Sequence, residues 1–128
     1  MKKRKSAQKE EKRRILVTYK GSAEMGLPFQ DDYLILSLVG EWNVTPLACA
    51  VVNFPAIDGK PVFFIHDIVS YVGKEMQDFL YKAVLGIARE RGYQEVYISC
   101  GRFAEKFMKE NGFQKISGGI LAKKELCE

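Results

Sequence analysis

The chain has 128 residues, 47% hydrophobic and 28% charged, which fits one globular domain with its own core and excludes a disordered polymer. Twenty Lys/Arg against 16 Asp/Glu give +4, yet residues 1–14 alone hold eight Lys/Arg and two Glu, so the rest sums to about −2. No apolar run approaches membrane-spanning length, and Cys49, Cys100 and Cys127 form no C-x-x-C pair, so a cytoplasmic protein without membrane segment, disulfide framework or structural zinc is expected.

Residues 1–14 read as a basic, disordered tail ahead of a domain at 15–128. Such an arm is also a handle for nucleic acid or an acidic partner. The body offers no basic stripe interleaved with aromatics, which argues against a dedicated nucleic-acid domain. Ile15–Tyr19 reads as the first strand. Gly21–Asp32, with two glycines and a proline, reads as a loop with at most one helical turn. Tyr33–Val39 is an apolar strand, Gly40–Pro46 turns the chain, and Leu47–Phe54 runs back. Asp58-Gly59 signals a hairpin turn, since both central residues of a type I′ turn need positive φ. Val62–Val69 is nearly continuous in apolar residues, a strand buried on both faces.

The next stretch organises the rest. In Lys74–Arg91 the residues Met76, Phe79, Leu80, Ala83, Val84, Ile87 and Ala88 recur at helical spacing, and Gly92 stops the run. Gln94–Ser99 is a short strand. Arg102–Asn111 is a second helix, ended by Gly112-Phe113. Phe79, Leu80, Phe103 and Phe107 are assigned to the core. Gln114–Leu126 reads as one bent strand or a small hairpin around Gly118-Gly119. The fold class is α+β: an antiparallel meander followed by a β-α-β-α half, on a mixed, mostly antiparallel sheet. Where two parallel strands splay, their free backbone groups can grip an extended ligand, and the helix start offers amides to an anion.

His66 is the sole histidine, and a neutral imidazole at a strand end is a candidate general base for an amine. The competing reading is a half-buried histidine hydrogen-bonded to backbone. Strict alternation along the strand keeps His66 and Asp67 out of one site. Cys100 lacks a neighbouring base and reads as a small buried hydrophobe. Trp42, in the turn Glu41–Asn43, is either an exposed aromatic at an interface or a cover for the sheet edge.

Ala88-Arg89-Glu90-Arg91-Gly92-Tyr93, a strand, then Ala104-x-x-Phe107-x-x-x-x-Gly112-Phe113 resembles the C-terminal half of the GNAT superfamily of acyl-CoA N-acyltransferases, over residues 62–124. The resemblance implies a compact GNAT-like fold. It implies acyl transfer from acetyl-CoA to an amine, with Ile68, Val69 and Ser70 of the strand and Gly73, Lys74, Glu75 and Gln77 of the helix start holding the cofactor. Ile65-His66-Asp67-Ile68-Val69 is similar to the family's I-x-D-L-V, which puts His66 where the general base often stands. The family's pyrophosphate signature [QR]-x-x-G-x-[GA] falls on Val72, Glu75 and Gln77, and all three depart from it. The frequent Asn falls on Gly101, and the frequent Tyr on Met108. With only Gly21–Asp32 available for the usual acceptor-site helices, the resemblance implies an open groove suited to a peptide or protein acceptor. The alternative reading is a non-catalytic GNAT-fold module that binds a protein or nucleic acid through its arm or the surface near Trp42. The oligomeric state, a homodimer included, is open.

Overall fold

The computed structural model describes residues 12–20 and 33–126. The expected loop Gly21–Asp32 and most of the basic tail lie outside the described residues. The elements are β1 (Arg13–Lys20), β2 (Tyr33–Gly40), β3 (Ala48–Asn53), β4 (Ala56–Ile57), β5 (Lys60–Pro61), β6 (Phe63–Ser70), α1 (Lys74–Glu90), β7 (Glu95–Ser99), α2 (Glu105–Glu110), β8 (Gln114–Ile116) and β9 (Leu121–Glu125). Seven strands form one sheet in the order β1-β2-β3-β6-β7-β9-β8, and β4-β5 is a small hairpin. Every pairing is antiparallel except β6 with β7, which α1 joins as the crossover. The architecture is thus the α+β mixture read from the pattern. Asp58 and Gly59 have φ of 54° and 81°, as the hairpin turn requires.

The main core lies between the sheet and α1, where Leu36, Ala50, Val52 and Ile65 meet Leu80, Val84 and Ala88. Leu80 and Val84 are wholly buried, and each contributes about 1.5–3 kcal/mol of transfer free energy. On the opposite face Val62, Phe64 and Tyr97 form a smaller cluster with Ile57 of the hairpin.

Three expectations need correction. Phe79 is not core: it is 44% exposed and lies under the Arg13 guanidinium, 5.3 Å from the ring centre. The buried stripe of α1 is Leu80, Tyr81, Val84, Leu85 and Ala88, and Phe79 sits about 140° around the helix from Val84. The second helix is shorter than Arg102–Asn111, because Ala104 is extended (φ −68°, ψ 149°) and the first intrahelical bond is Met108 N–H to Ala104 O. Strict alternation fails in β6. Val51 pairs with Asp67 but Val52 with Ile65, so His66 is an extra, bulged residue. In addition, β1 starts at Arg13, two residues before the expected strand.

Candidate functional site

The bulge at His66 shapes the region where a ligand was expected. The parallel ladder between β6 and β7 is three pairs long, from Phe63↔Val96 to Ile65↔Ile98. Beyond Ile65 the strands part, and β6 continues to Ser70 unpaired with β7. This is the splay that the sequence suggested. Ile65 and Ile68 both enter the helix-side core although three residues apart, so the bulge leaves His66 and Asp67 together on the other side.

The edge facing the gap belongs to Ile68 and Ser70. Tyr71 N–H bonds to Leu47 O at 2.9 Å on the β3 side, and alternation from there turns the Ile68 N–H and C=O toward the gap. The chain's own side chains take both. Ile68 N–H donates to Asp67 Oδ1 at 2.9 Å, and Gln77 Nε2, from the first turn of α1, donates to Ile68 O at 3.0 Å. The second Asp67 oxygen accepts from Arg102 at 3.0 Å, which ties the loop after β7 to the bulge.

The turn from β6 into α1 is similarly occupied. Ser70 Oγ donates to Gly73 O at 2.5 Å and accepts from the N–H groups of Gly73 (3.1 Å) and Val72 (3.3 Å). Gly73 has φ 130°, a conformation that a side chain would strain. Lys74 Nζ lies 3.2 Å from Asp78 on the exposed face of the helix, and Glu75 adds a carboxylate to the first turn. A carboxylate suits the helix dipole there but repels phosphate. Between the start of α1 and α2 lies an open cleft of about 430 Å³, lined among others by Ile68, Gln77, Lys74, Phe103, Lys106 and Phe107.

Of the residues expected to bind a cofactor, Ile68, Ser70, Gly73, Lys74 and Gln77 are gathered around this turn and cleft. Glu75 stands exposed in the first turn of α1 and does not line the cleft, and Val69 is directed elsewhere. It pairs across to Cys49, and as the neighbour of Ile68 it turns to the opposite face. His66 is 6% exposed, its Nε2 is 2.8 Å from Asn53 Oδ1, and its ring packs against Tyr33 and Phe64. With Asn53 Oδ1 as acceptor, the proton is on Nε2. Burial first, and the Arg102 cation second, push its pKa down to about 4, so the ring is neutral at pH 7. Cys100 is half-buried and its N–H bonds to Ile120 O.

The roles of three residues emerged only from the structure. Asp67 and Arg102 form the bridge across the gap, which depends on the bulge and on a loop that brings residues 35 apart together. Tyr81 is 6% exposed, its hydroxyl lacks a partner among the described residues, and burial pushes its pKa up to about 12. Its ring meets Phe107 edge-on at 5.2 Å. The spacing Tyr81-Leu85-Ala88 carried that signal. Among the described residues no cluster of three His, Cys, Asp or Glu could hold a metal ion, and no helix is long and apolar enough to cross a membrane.

An acyl-CoA seated in such a gap needs a strand edge with open N–H and C=O groups, free amides at the turn, and small residues at the helix start. Here the Ile68 groups and the Val72 and Gly73 amides are already bonded, and Gln77 sits on the β6 edge that faces the gap. The residues present, in this arrangement, do not fit the cofactor.

No protein-family model matches the chain, and no curated protein matches its sequence. Solved structures do match in shape. A Lactobacillus plantarum protein provisionally named an N-acetyltransferase superposes with TM-score 0.57 at 15% identity, over 88% of this chain and 99% of that one. A structure of a KacTA–DNA complex gives TM-score 0.53 at 15% identity, over 73% and 68%. AtaTR bound with AcCoA gives 0.50 at 13% identity, over 74% and 67%. At these identities the likeness concerns architecture, and together with the splayed β6-α1-β7 unit it establishes that the chain has a GNAT-like fold.

Proposed function

We propose that this chain is a GNAT-fold binding module in which the groove that would hold acyl-CoA is filled from within, and that it works through a macromolecular partner. The observation that carries this reading is the Gln77 carboxamide on Ile68 O, 3.0 Å away, on the β6 edge that faces the gap between the splayed strands. A pantetheine arm would have to displace that contact and the Asp67 contact beside it. Each displacement forfeits a part-buried hydrogen bond worth about 0.5–1.5 kcal/mol, which the arm's own bonds would have to offset. On this reading His66 is a structural residue, neutral and bonded to Asn53.

A second reading, transfer of an acetyl group from acetyl-CoA to an amine on a peptide or protein, draws support from the cleft and from the structural neighbour bound with AcCoA. It requires Gln77 to swing out of the gap, and a base at His66 would act from a buried ring. Calorimetric titration with acetyl-CoA and with free CoA separates the two. The binding-module reading expects no heat of binding at millimolar ligand. Micromolar affinity, weakened by Lys74→Glu, would establish the second reading in its place.

A further inference from the structure

α1 has two apolar sides, and the core takes only one of them whole. Met76, Phe79, Ala83, Ile87 and Glu90 lie within about 80° around the helix, spaced by three and four residues as in a helix–helix seam. Phe79 is 44% exposed, and Met76, Ala83 and Ile87 are half-buried. The sheet beside this seam is bare as well. α1 packs over β3 and β6, and the described residues place no helix on the same face of β1 and β2. A cavity of about 320 Å³ opens there, lined among others by Ile15, Val17, Leu34, Ile87, Glu90 and Arg91, with Val17 59% exposed. One exposed apolar side chain needs no explanation, but a helix seam and a strand face left open side by side do.

The order of residues along the seam fits a copy of itself. Ala83 stands midway between two large apolar residues, Phe79 four positions before it and Ile87 four after. An antiparallel α1 centred on Ala83 therefore sets Phe79 against Ile87 of the second copy, and Ile87 against Phe79 of the second copy. The two small Ala83 side chains meet on the twofold axis and let the helices approach closely.

The described charges follow the same symmetry. Arg13 lies over Phe79, 5.3 Å from the ring centre, near the start of the seam, and Glu90 stands at its far end. Reversal of the second helix brings Glu90 of each copy to Arg13 of the other, twice per dimer. It also sets Glu75 opposite Arg91, a further pair of opposite sign. A parallel pair would put Arg13 beside Arg13 and Glu90 beside Glu90, which like charges oppose. Lys82, exposed and about 100° around the helix from Ala83, stays in water.

We infer that two copies of this chain associate through the free seam of α1, antiparallel about Ala83, and so cover the bare face of β1 and β2. With 17 residues α1 is about 25 Å long, so the contact belongs at the small end of stable interfaces and its Kd in the micromolar range. The association is separate from the gap between β6 and β7 and stands whether or not that gap takes acyl-CoA.

The test is sedimentation equilibrium of the full chain between about 1 and 200 μM. The expected result is a reversible equilibrium of monomer and dimer. Ala83→Glu should weaken it at least about tenfold, and circular dichroism of the dilute variant should match the parent, because a half-buried helix position accepts Glu. Arg13→Glu and Glu90→Arg should each weaken it about threefold or more, and the two together should restore the parent's affinity. Arg13 and Glu90 stand at opposite ends of one chain's seam, so only contact between copies can produce that rescue. Ile120→Ser, exposed at the opposite edge of the sheet, should change nothing. A monomer at every concentration, a dimer indifferent to Ala83→Glu, or a charge-swapped chain no tighter than either single variant would overturn the inference. Loss of the dimer in Ile120→Ser would overturn it too, by placing the contact on the other edge.

Discussion

His66 is the only histidine of the chain, so its ring resonances report one titration without ambiguity. They are expected to titrate with a midpoint near 4, far below the usual 6.5, because burial opposes the charged form and the Arg102 cation adds to the opposition. The same shift governs stability. The folded-state pKa is depressed, so the contribution is fully present above about pH 6.5 and drains as pH falls toward 4, while the unfolded chain takes up a proton that the native state refuses. The full difference amounts to about 3 kcal/mol. Urea midpoints measured from pH 7 down to pH 4 should show this loss, and His66→Gln should flatten the part of the slope between those values. A ring midpoint near 6.5 would mean that the imidazole faces water. Sequence alone could single out His66 but not its surroundings, since the bulge that turns it against Asn53 and Tyr33 depends on where β3 and β6 slip register. The role of Gln77 was readable sooner. It stands at a position where the resembled family keeps a small residue, and a long polar side chain there has the strand edge within reach.

The antiparallel meander, the Asp58-Gly59 hairpin and the β6-α1-β7 crossover were legible because each is written in local periodicity or turn chemistry. The errors lie where periodicity is shared between faces. Met76, Phe79, Ala83 and Ile87 share one side of α1, and Leu80, Tyr81, Val84, Leu85 and Ala88 the other, with little in the pattern to choose between them. The sheet buries the second arc, takes Met76 and Ile87 at the border of the core, and leaves Phe79 to Arg13. The two arcs should respond differently to truncation. Leu80→Ala, at a wholly buried position, should cost about 2–5 kcal/mol, whereas Phe79→Ala should cost under about 1 kcal/mol, since it removes an exposed cation–π contact and little burial. Chemical denaturation of the two variants checks this ordering. Equal losses would place Phe79 in the core after all. The short α2 has a related origin, because residues 102–104 make a turn and an extended approach that the apolar spacing of Phe103 and Phe107 does not reveal.

A splayed sheet with a cleft beside it is the architecture of a ligand site, and in this chain Asp67, Gln77 and Ser70 bond the strand edge and the turn there. If those side chains are what closes the site, opening it should be possible without rebuilding the fold. Replacing Glu75 and Gln77 together by Gly removes the carboxylate from the helix start and frees Ile68 O. The cost is about 1 kcal/mol of helix propensity for each glycine, and less in a first turn that already lacks internal bonds. The double variant is expected to stay folded with a modestly lower Tm and to gain acetyl-CoA binding in the millimolar range or better. Ligand at ten times Kd would then stabilise it by about 1.4 kcal/mol, seen as a rise in Tm that the parent chain does not share. Two other results would be informative. A parent chain that already shows the rise contradicts the filled groove, because Gln77 must then yield readily to the cofactor. A double variant that shows none places the obstruction elsewhere, most directly in the turn where Ser70 holds the amides of Val72 and Gly73. Ser70→Gly added to the double variant would then release those amides, and binding gained only at that step would identify the turn, rather than the strand edge, as what keeps this fold from its cofactor.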